Sequence, residues 1–343
     1  MTARFDRRLR LLGVAAIVVA SLFTFGGVPI TSAQGTTLFV ASVSGPLPVD
    51  DPWAPTWDQR PPTEVPLSGQ AVTPPMLLLP NVPTVRVRAL TDERRIAVLL
   101  EWQDPTMDDS VLAVDRFADA VAMQLALGTG TSICMGQQAG ALNIWHWKAD
   151  WAADVAHWRD VQDVHPNMPL DASLPRLESP VPDVPTPPGL DTGAEVGNPR
   201  SLATRPSSVE DLNAVGFGTL TPQPPDRQEV HGASGYRDGV WRVVMSRDLA
   251  VPDPSDALLK RGSGTVAAFA VWDGARGDRD GQKSVSVWLT LAFETPQPGP
   301  LEAWPFLVLI LLTLGLSGVV LYVGTHQPAI GLGWPGGRPD GGR

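Results

Sequence analysis

The chain has 343 residues, 43% of them hydrophobic, with a formal net charge of −10, 35 prolines, 33 glycines and one cysteine. That supplies enough apolar surface for a sizeable core, while the acidic balance, with no basic block after the first ten residues, excludes nucleic acid as a partner. The proline and glycine content argues against a helical bundle, and a lone Cys134 excludes an internal disulfide, a thiolate zinc site, an iron–sulfur cluster and a doubly thioether-linked haem.

Arg4, Arg7, Arg8 and Arg10 precede an apolar run over 11–25, and Thr31, Ser32 and Ala33 offer small residues to a signal peptidase. Residues 1–33 therefore read as an export signal cleaved near Ala33. The Arg7–Arg8 pair fits either a twin-arginine signal or an ordinary signal n-region. Strands are predicted at 37–43, 85–90 and 95–102, the last two joined by a turn of hairpin length at 91–94. A further strand at 119–127 leads to Cys134, Met135 and Gly136, where glycine lets the backbone turn sharply and present the thioether, a soft ligand for haem iron or copper.

The run from Leu142 to Lys148 alternates like a half-buried strand, with Leu142, Ile144 and Lys148 on one face and Trp145 and Trp147 on the other. Helical spacing in Trp151, Val155 and Trp158 follows over 150–160. From 162 to 228 the composition shifts to proline, aspartate, glycine and serine, which cannot form continuous regular structure; order is expected over its last third. Strands resume at 239–247, 264–272 and 284–293. The expectation is an all-β fold, an antiparallel sandwich with short helices and a long Pro-rich insertion. Residues 301–325 read as a transmembrane anchor, because the positions from Trp304 to Val323 carry no charge and span about 30 Å as a helix, with Trp304 and Tyr322 at the interfaces. A short tail, 326–343, carries Arg338 and Arg343 and fits a cytoplasmic end.

Cys134-Met135-Gly136, the segment from Asn143 to Trp151, the segment from Gly239 to Arg247 and residues 268–274 together resemble the haem b-binding gamma subunits of the type II dimethyl-sulfoxide-reductase family, over residues 36–293. The resemblance implies a sandwich domain at 36–297, interrupted by the insertion at 162–228, that holds one non-covalent haem b between a methionine and a lysine. It assigns Met135 and Lys283 as the metal ligands, since Lys283 lies near the C-terminal end of the domain, where the family places its lysine. His231 and His146 are the next choices. Gly136, Trp145, Trp147, Lys148 and Arg242 are the further candidate cofactor-binding residues. Simpler readings stand beside these: methionine as core filler, tryptophans as packing, Arg242 and Arg247 as solvated strand positions, and Lys260 as a solvated loop residue.

The implied role is electron transfer between an exported molybdenum-containing catalytic subunit with its iron–sulfur subunit, or another membrane respiratory complex, and the respiratory chain. The haem domain is expected on the extracytoplasmic side of the membrane. No nucleophile–base pair, carboxylate pair or phosphate loop stands out, so no catalytic residue is assigned and the chain is not expected to be an enzyme by itself. Two alternatives remain: a carbohydrate-binding sandwich module without haem, and a mononuclear copper protein using Cys134, Met135 and two of His146, His157, His165 and His231.

Overall fold

The computed structural model describes residues 36–128, 140–159, 161–167, 205–261, 265–294 and 304–326. The signal segment, Cys134, Met135 and Gly136, much of the Pro-rich insertion and the tail lie outside the described residues. The chain divides into two compact units at Glu294 and Thr295.

The first unit contains β1 (Thr37–Ser42), β2 (Thr63–Pro66), β3 (Ser68–Gly69), β4 (Thr84–Thr91), β5 (Arg95–Gln103), β6 (Ala120–Ala126) and β7 (Leu142–Lys148). After α1 (Ala149–Ala156) and α2 (Val161–Val164) come β8 (Val209–Ala214), β9 (Thr221–Pro222), β10 (His231–Arg237), β11 (Val240–Asp248), β12 (Thr265–Trp272), β13 (Ser284–Val285) and β14 (Leu289–Phe293). Hydrogen bonding links them in the order β10-β11-β5-β4-β1-β14-β12-β6-β7-β8-β9, with β2 on β4 and β13 on β12.

This path folds back on itself. Trp102 on β5 and Trp241 on β11 meet Trp147 on β7, with ring centroids 6.1 and 5.1 Å apart, although β7 lies near the other end of the order. The two halves thus face each other over one apolar core that includes Val87, Val98, Leu100, Met123, Trp145, Val243 and Phe269. The strands supply it by alternation, which sends every second side chain to the same face.

The antiparallel expectation needs correction, because β1 pairs parallel with both neighbours, Thr37 opposite Thr290 on β14 and Val40 opposite Ala89 on β4. Parallel neighbours need a long connection, and the chain between β1 and β4 is long enough to provide one. The fold is therefore mostly β with a mixed sheet. The predicted strand at 284–293 is broken by Ser286, Val287 and Trp288 into β13 and β14, and the helix expected to 160 ends at Ala156. Besides the short β2, β3 and β9, two longer strands went unpredicted: β8, embedded in the proline-rich stretch, and β10, whose residues His231–Arg237 are half-buried or exposed without alternation. The β10–β11 hairpin closes through Asp238 and Gly239, both at positive φ (52° and 75°), the conformation that two-residue hairpin turns require.

The second unit contains α3 (Trp304–His326), 23 residues long, or about 34 Å at the α-helical rise. Its side chains are described at 308, 310–319 and 322. Among the described residues no helix is long and apolar enough to cross a membrane.

Candidate cofactor pocket

The strands β6, β7 and β12 present two different faces. Inward go Val121, Met123, Leu125, Trp145, Trp147, Phe269 and Val271. Outward go Ala120, Ala122 and Gln124 from β6, Ile144, His146 and Lys148 from β7, and Ala268, Ala270 and Trp272 from β12. Register aligns these nine in rows: Gln124 between Ile144 and Ala268, Ala122 between His146 and Ala270, Ala120 between Lys148 and Trp272. Four of the nine are alanines, and their short side chains leave a broad shallow floor where larger residues would fill the space.

Loops raise walls around this floor and enclose a pocket of about 910 Å³, within the range of small-molecule and cofactor sites. Ser68–Pro75 forms one side, Val111, Phe117 and Ala118 another, Phe217–Leu220 a third and Asp278–Val287 a fourth. Gln70 clasps the first wall to the last. Its Oε1 accepts from the backbone N–H groups of Val72 (2.6 Å) and Thr73 (2.8 Å), while its Nε2 donates to the carbonyls of Thr73 and Gly281, both at 2.8 Å. Gly69 is required there, because a Cβ would stand 2.2 Å from the Leu77 carbonyl oxygen.

Besides Asp150, Asp278, Arg279 and Asp280, the titratable side chains His146, Lys148 and Lys283 line the pocket. His146 stacks on Trp272, centroids 4.9 Å apart and rings inclined by 29°. Lys283 places its Nζ 4.8 Å from the centroid of the same indole. Lys283 is half-buried, the surface it retains facing the pocket. Desolvation by the surrounding protein lowers its ammonium pKa to about 8, against the opposing pull of Asp280. Lys148 is held differently, in an ion pair with Glu210 and 3.9 Å above the Trp151 ring.

The structure thus brings Lys283, Lys148 and His146 together and separates the other described candidates from them. Trp145 and Trp147 occupy the opposite face of β7, in the core, where the Trp145 indole N–H donates to Asn143 (3.0 Å). The alternation of that strand forces this, since residues flanking His146 must point away from it. Arg242 lies on β11 among Glu101 (2.6 Å), Asp58 (3.4 Å) and the Trp53 ring (4.6 Å) and does not line the pocket. Arg247 is fully buried in an ion pair with Asp256 (2.9 Å), and His231 is an exposed residue at the start of β10. Trp272, Gln70 and the alanines are pocket residues the sequence reading missed. Small residues alternating with large ones along Ala120–Ala126 were the available signal for the floor.

A flat apolar floor, aromatic and aliphatic walls and an amine of lowered pKa suit a planar hydrophobic cofactor that coordinates nitrogen. These residues fit haem. The model of the family described as ethylbenzene dehydrogenase matches residues 54–284. A Haloferax mediterranei protein provisionally described as a respiratory nitrate reductase heme subunit is 26% identical over 91% of this chain and 94% of its own length. The chlorate reductase subunit gamma of Ideonella dechloratans is 26% identical over 84% of this chain and 97% of its own, and the dimethylsulfide dehydrogenase subunit gamma of Rhodovulum sulfidophilum is 31% identical over 62% of each. Among solved structures, a family 9 carbohydrate-binding module from Caldicellulosiruptor kristjanssonii in complex with glucose aligns over 76% of this chain and all of its own, at 10% identity and a TM-score of 0.36, a likeness too slight to carry an argument. With its match running from the first turn after β1 to the start of β13, the chain belongs to the ethylbenzene dehydrogenase family.

Proposed function

We propose that this chain is a membrane-anchored electron-transfer subunit that holds one non-covalent haem b, whose iron Lys283 and Met135 would ligate. The observation that carries the reading is the Lys283 amine, set on a pocket wall with its pKa lowered to about 8; a proton is displaced from such an amine far more readily than from a solvated lysine. Met135 comes from the resemblance. The names of the three relatives support a role beside a reductase or dehydrogenase catalytic subunit.

When bound, haem b supplies a one-electron couple whose potential follows its ligands and its burial. The chain's own residues prepare that site. The floor of Ala120, Ala122, Ala268 and Ala270 leaves room for a flat ring, and Ile144 and Leu212 keep it apolar. The Gln70 clasp holds two of the wall loops together. Trp272 contacts both Lys283 and His146. Lys148, tied to Glu210, is left as a charged wall residue and is not a second amine ligand.

In this reading residues 1–33 direct export, α3 anchors the protein with its first unit outside the cytoplasm, and the partners are a molybdenum-containing catalytic subunit with its iron–sulfur subunit, or another membrane respiratory complex. The anchor rests on the sequence, on the uncharged run from Trp304 to Val323, whose twenty residues would span hydrocarbon about 30 Å thick as a helix, and not on the described part of α3, which falls short of a span.

A specific observation favours one second reading, a methionine–histidine pair, because His146 lines the same pocket against the same tryptophan. The full chain, expressed with haem available, is expected to show a low-spin Soret spectrum and to lose its haem to acid–acetone. Lys283→Ala should convert it to a high-spin spectrum, and His146→Ala should leave it low-spin. The reverse outcome replaces lysine by histidine. A colourless preparation would sink the haem assignment.

A further inference from the structure

Three carboxylates converge beside the pocket. Asp104 follows β5, Asp119 precedes β6 and Asp273 follows β12; all three are buried, and one oxygen of each lies within 4.8 Å of the other two. Local hydrogen bonds account for only part of them. Asp119 accepts from the backbone N–H groups of Gly274 (2.9 Å) and Asp108 (2.8 Å) and from the Trp241 indole (2.9 Å). Asp273 accepts from the Arg276 N–H at 3.0 Å.

Asp104 is the residue left over. Its Oδ1 accepts from the N–H (3.1 Å) and hydroxyl (3.3 Å) of Thr106, but Oδ2, on a side chain 1% exposed, has no hydrogen-bond partner among the described residues. The Trp102 indole pulls the Asp104 pKa down, yet its N–H and this oxygen do not complete a hydrogen bond. A fourth carboxylate, Asp108, also buries an Oδ2 without a partner. Burying one such oxygen unpaired is costly, and burying several together more so. Desolvation and mutual repulsion push Asp104 up to about 6 and Asp119 up to about 7. Arg276, at Asp273, is the one cation among the leading influences on the three.

We propose that Asp104, Asp119 and Asp273 bind one Ca²⁺ ion that locks the pocket wall. Carboxylate oxygens are hard donors, and a Ca²⁺ ion with donors at roughly 2.3–2.6 Å bridges oxygens up to about 5 Å apart. Mg²⁺, which retains waters in a near-ideal octahedron, suits a dry site among Trp102, Trp241 and Gly274 less well. The ion would tie the 104–119 loop, which supplies Phe117 and Ala118 to the pocket, to the loop after β12, which leads to Lys283. These two segments already touch backbone to backbone, since a Cβ on Gly274 would stand 2.1 Å from the Phe117 carbonyl oxygen. The site does not depend on which cofactor the pocket takes.

The test uses the purified full chain, stripped with a chelator and titrated with Tb³⁺, whose emission is sensitised by nearby tryptophan, and then with Ca²⁺. Expected are one saturable Tb³⁺ per chain, displacement by Ca²⁺, and a melting temperature that rises with Ca²⁺ to a plateau. Asp104→Asn, nearly isosteric, should weaken Ca²⁺ at least tenfold while circular dichroism is unchanged. Absence of saturable Tb³⁺ binding in the natural chain overturns the proposal, and so does binding that Asp104→Asn leaves intact. Should that variant fail to fold, the thermal titration of the natural chain decides: a saturable Ca²⁺ shift upholds the site and a flat response overturns it.

Discussion

Arg247 shows how much one buried side chain organises. Its guanidinium pairs with Asp256 (2.9 Å), donates to the Ala257 carbonyl (2.6 Å) and Asn143 (3.3 Å), and lies 5.1 Å from the centre of the Trp145 ring. Removing one partner of such a pair strands the other, so Arg247→Met is expected to cost about 3–5 kcal/mol in denaturant unfolding, although the residue does not line the pocket. Asp211 belongs to the same cluster. Burial first, then repulsion from Asp256, raises its pKa to about 8, against the pull of Asn143 and Arg247. A raised carboxyl pKa means that the folded state holds the proton more tightly than the unfolded one. The stability this contributes is complete below the unfolded value of 3.8 and is lost as pH rises towards about 8. Asp211→Asn should therefore flatten the fall in melting temperature between pH 5 and pH 8; an unchanged slope would refute the assignment. None of this was legible beforehand, because Arg247 read equally well as a solvated strand position and Asp211 sat in a proline-rich stretch with no strand signal.

Strands whose two faces differ strongly were legible, and those without contrast were not. Leu142–Lys148 was read to the residue because alternation of aromatic and polar groups leaves one register possible. The same alternation contained the correction to its own site reading: Trp145 and Trp147 cannot share a face with His146, so they pack the core. His231–Arg237 carries two glycines and no large aliphatic residue, and it became a strand only by pairing with the strongly apolar β11, a tertiary choice that local pattern does not encode. The acidic trio was hidden by distance, Asp273 lying more than a hundred residues beyond Asp104 and Asp119 and each unremarkable beside its neighbours. The alanine floor gives the element-scale prediction. Ala122 and Ala270, paired across β6 and β12, face the pocket rather than the core. Ala122→Leu together with Ala270→Leu should abolish haem incorporation, read as the Soret-to-protein absorbance ratio, while unfolding free energy shifts by no more than about 3 kcal/mol. Retention of full haem content would show that the cofactor lies elsewhere.

At the scale of the whole molecule the two units distribute their apolar residues differently. The first unit buries its aromatic and aliphatic residues in a main core and two smaller clusters and exposes a surface rich in charged side chains such as Arg60, Glu294, Arg261 and Glu93, paired at its margins. The second inverts that pattern: Leu311, Leu312, Leu314, Leu316 and Val319 are all exposed on α3, all round the helix rather than in a stripe. A helix that is apolar on every side lacks a preferred packing face and is suited to hydrocarbon, where its backbone groups are satisfied internally. Its polar interruptions are handled within the helix, Thr313 donating to the Ile310 carbonyl and Ser317 to that of Thr313 (2.8 and 2.7 Å). The full chain is accordingly expected in the membrane fraction, resistant to extraction at alkaline pH and released by detergent, while a chain ending at Glu294 should be found in the soluble fraction of the exported compartment with its haem spectrum intact. Replacing Leu312 and Leu316 by arginine should cost roughly 2.5–3.5 kcal/mol each in insertion and release the protein without altering that spectrum. A full chain that fractionates as soluble, or a haem spectrum lost along with the helix, would mean that α3 packs on protein and is no membrane anchor.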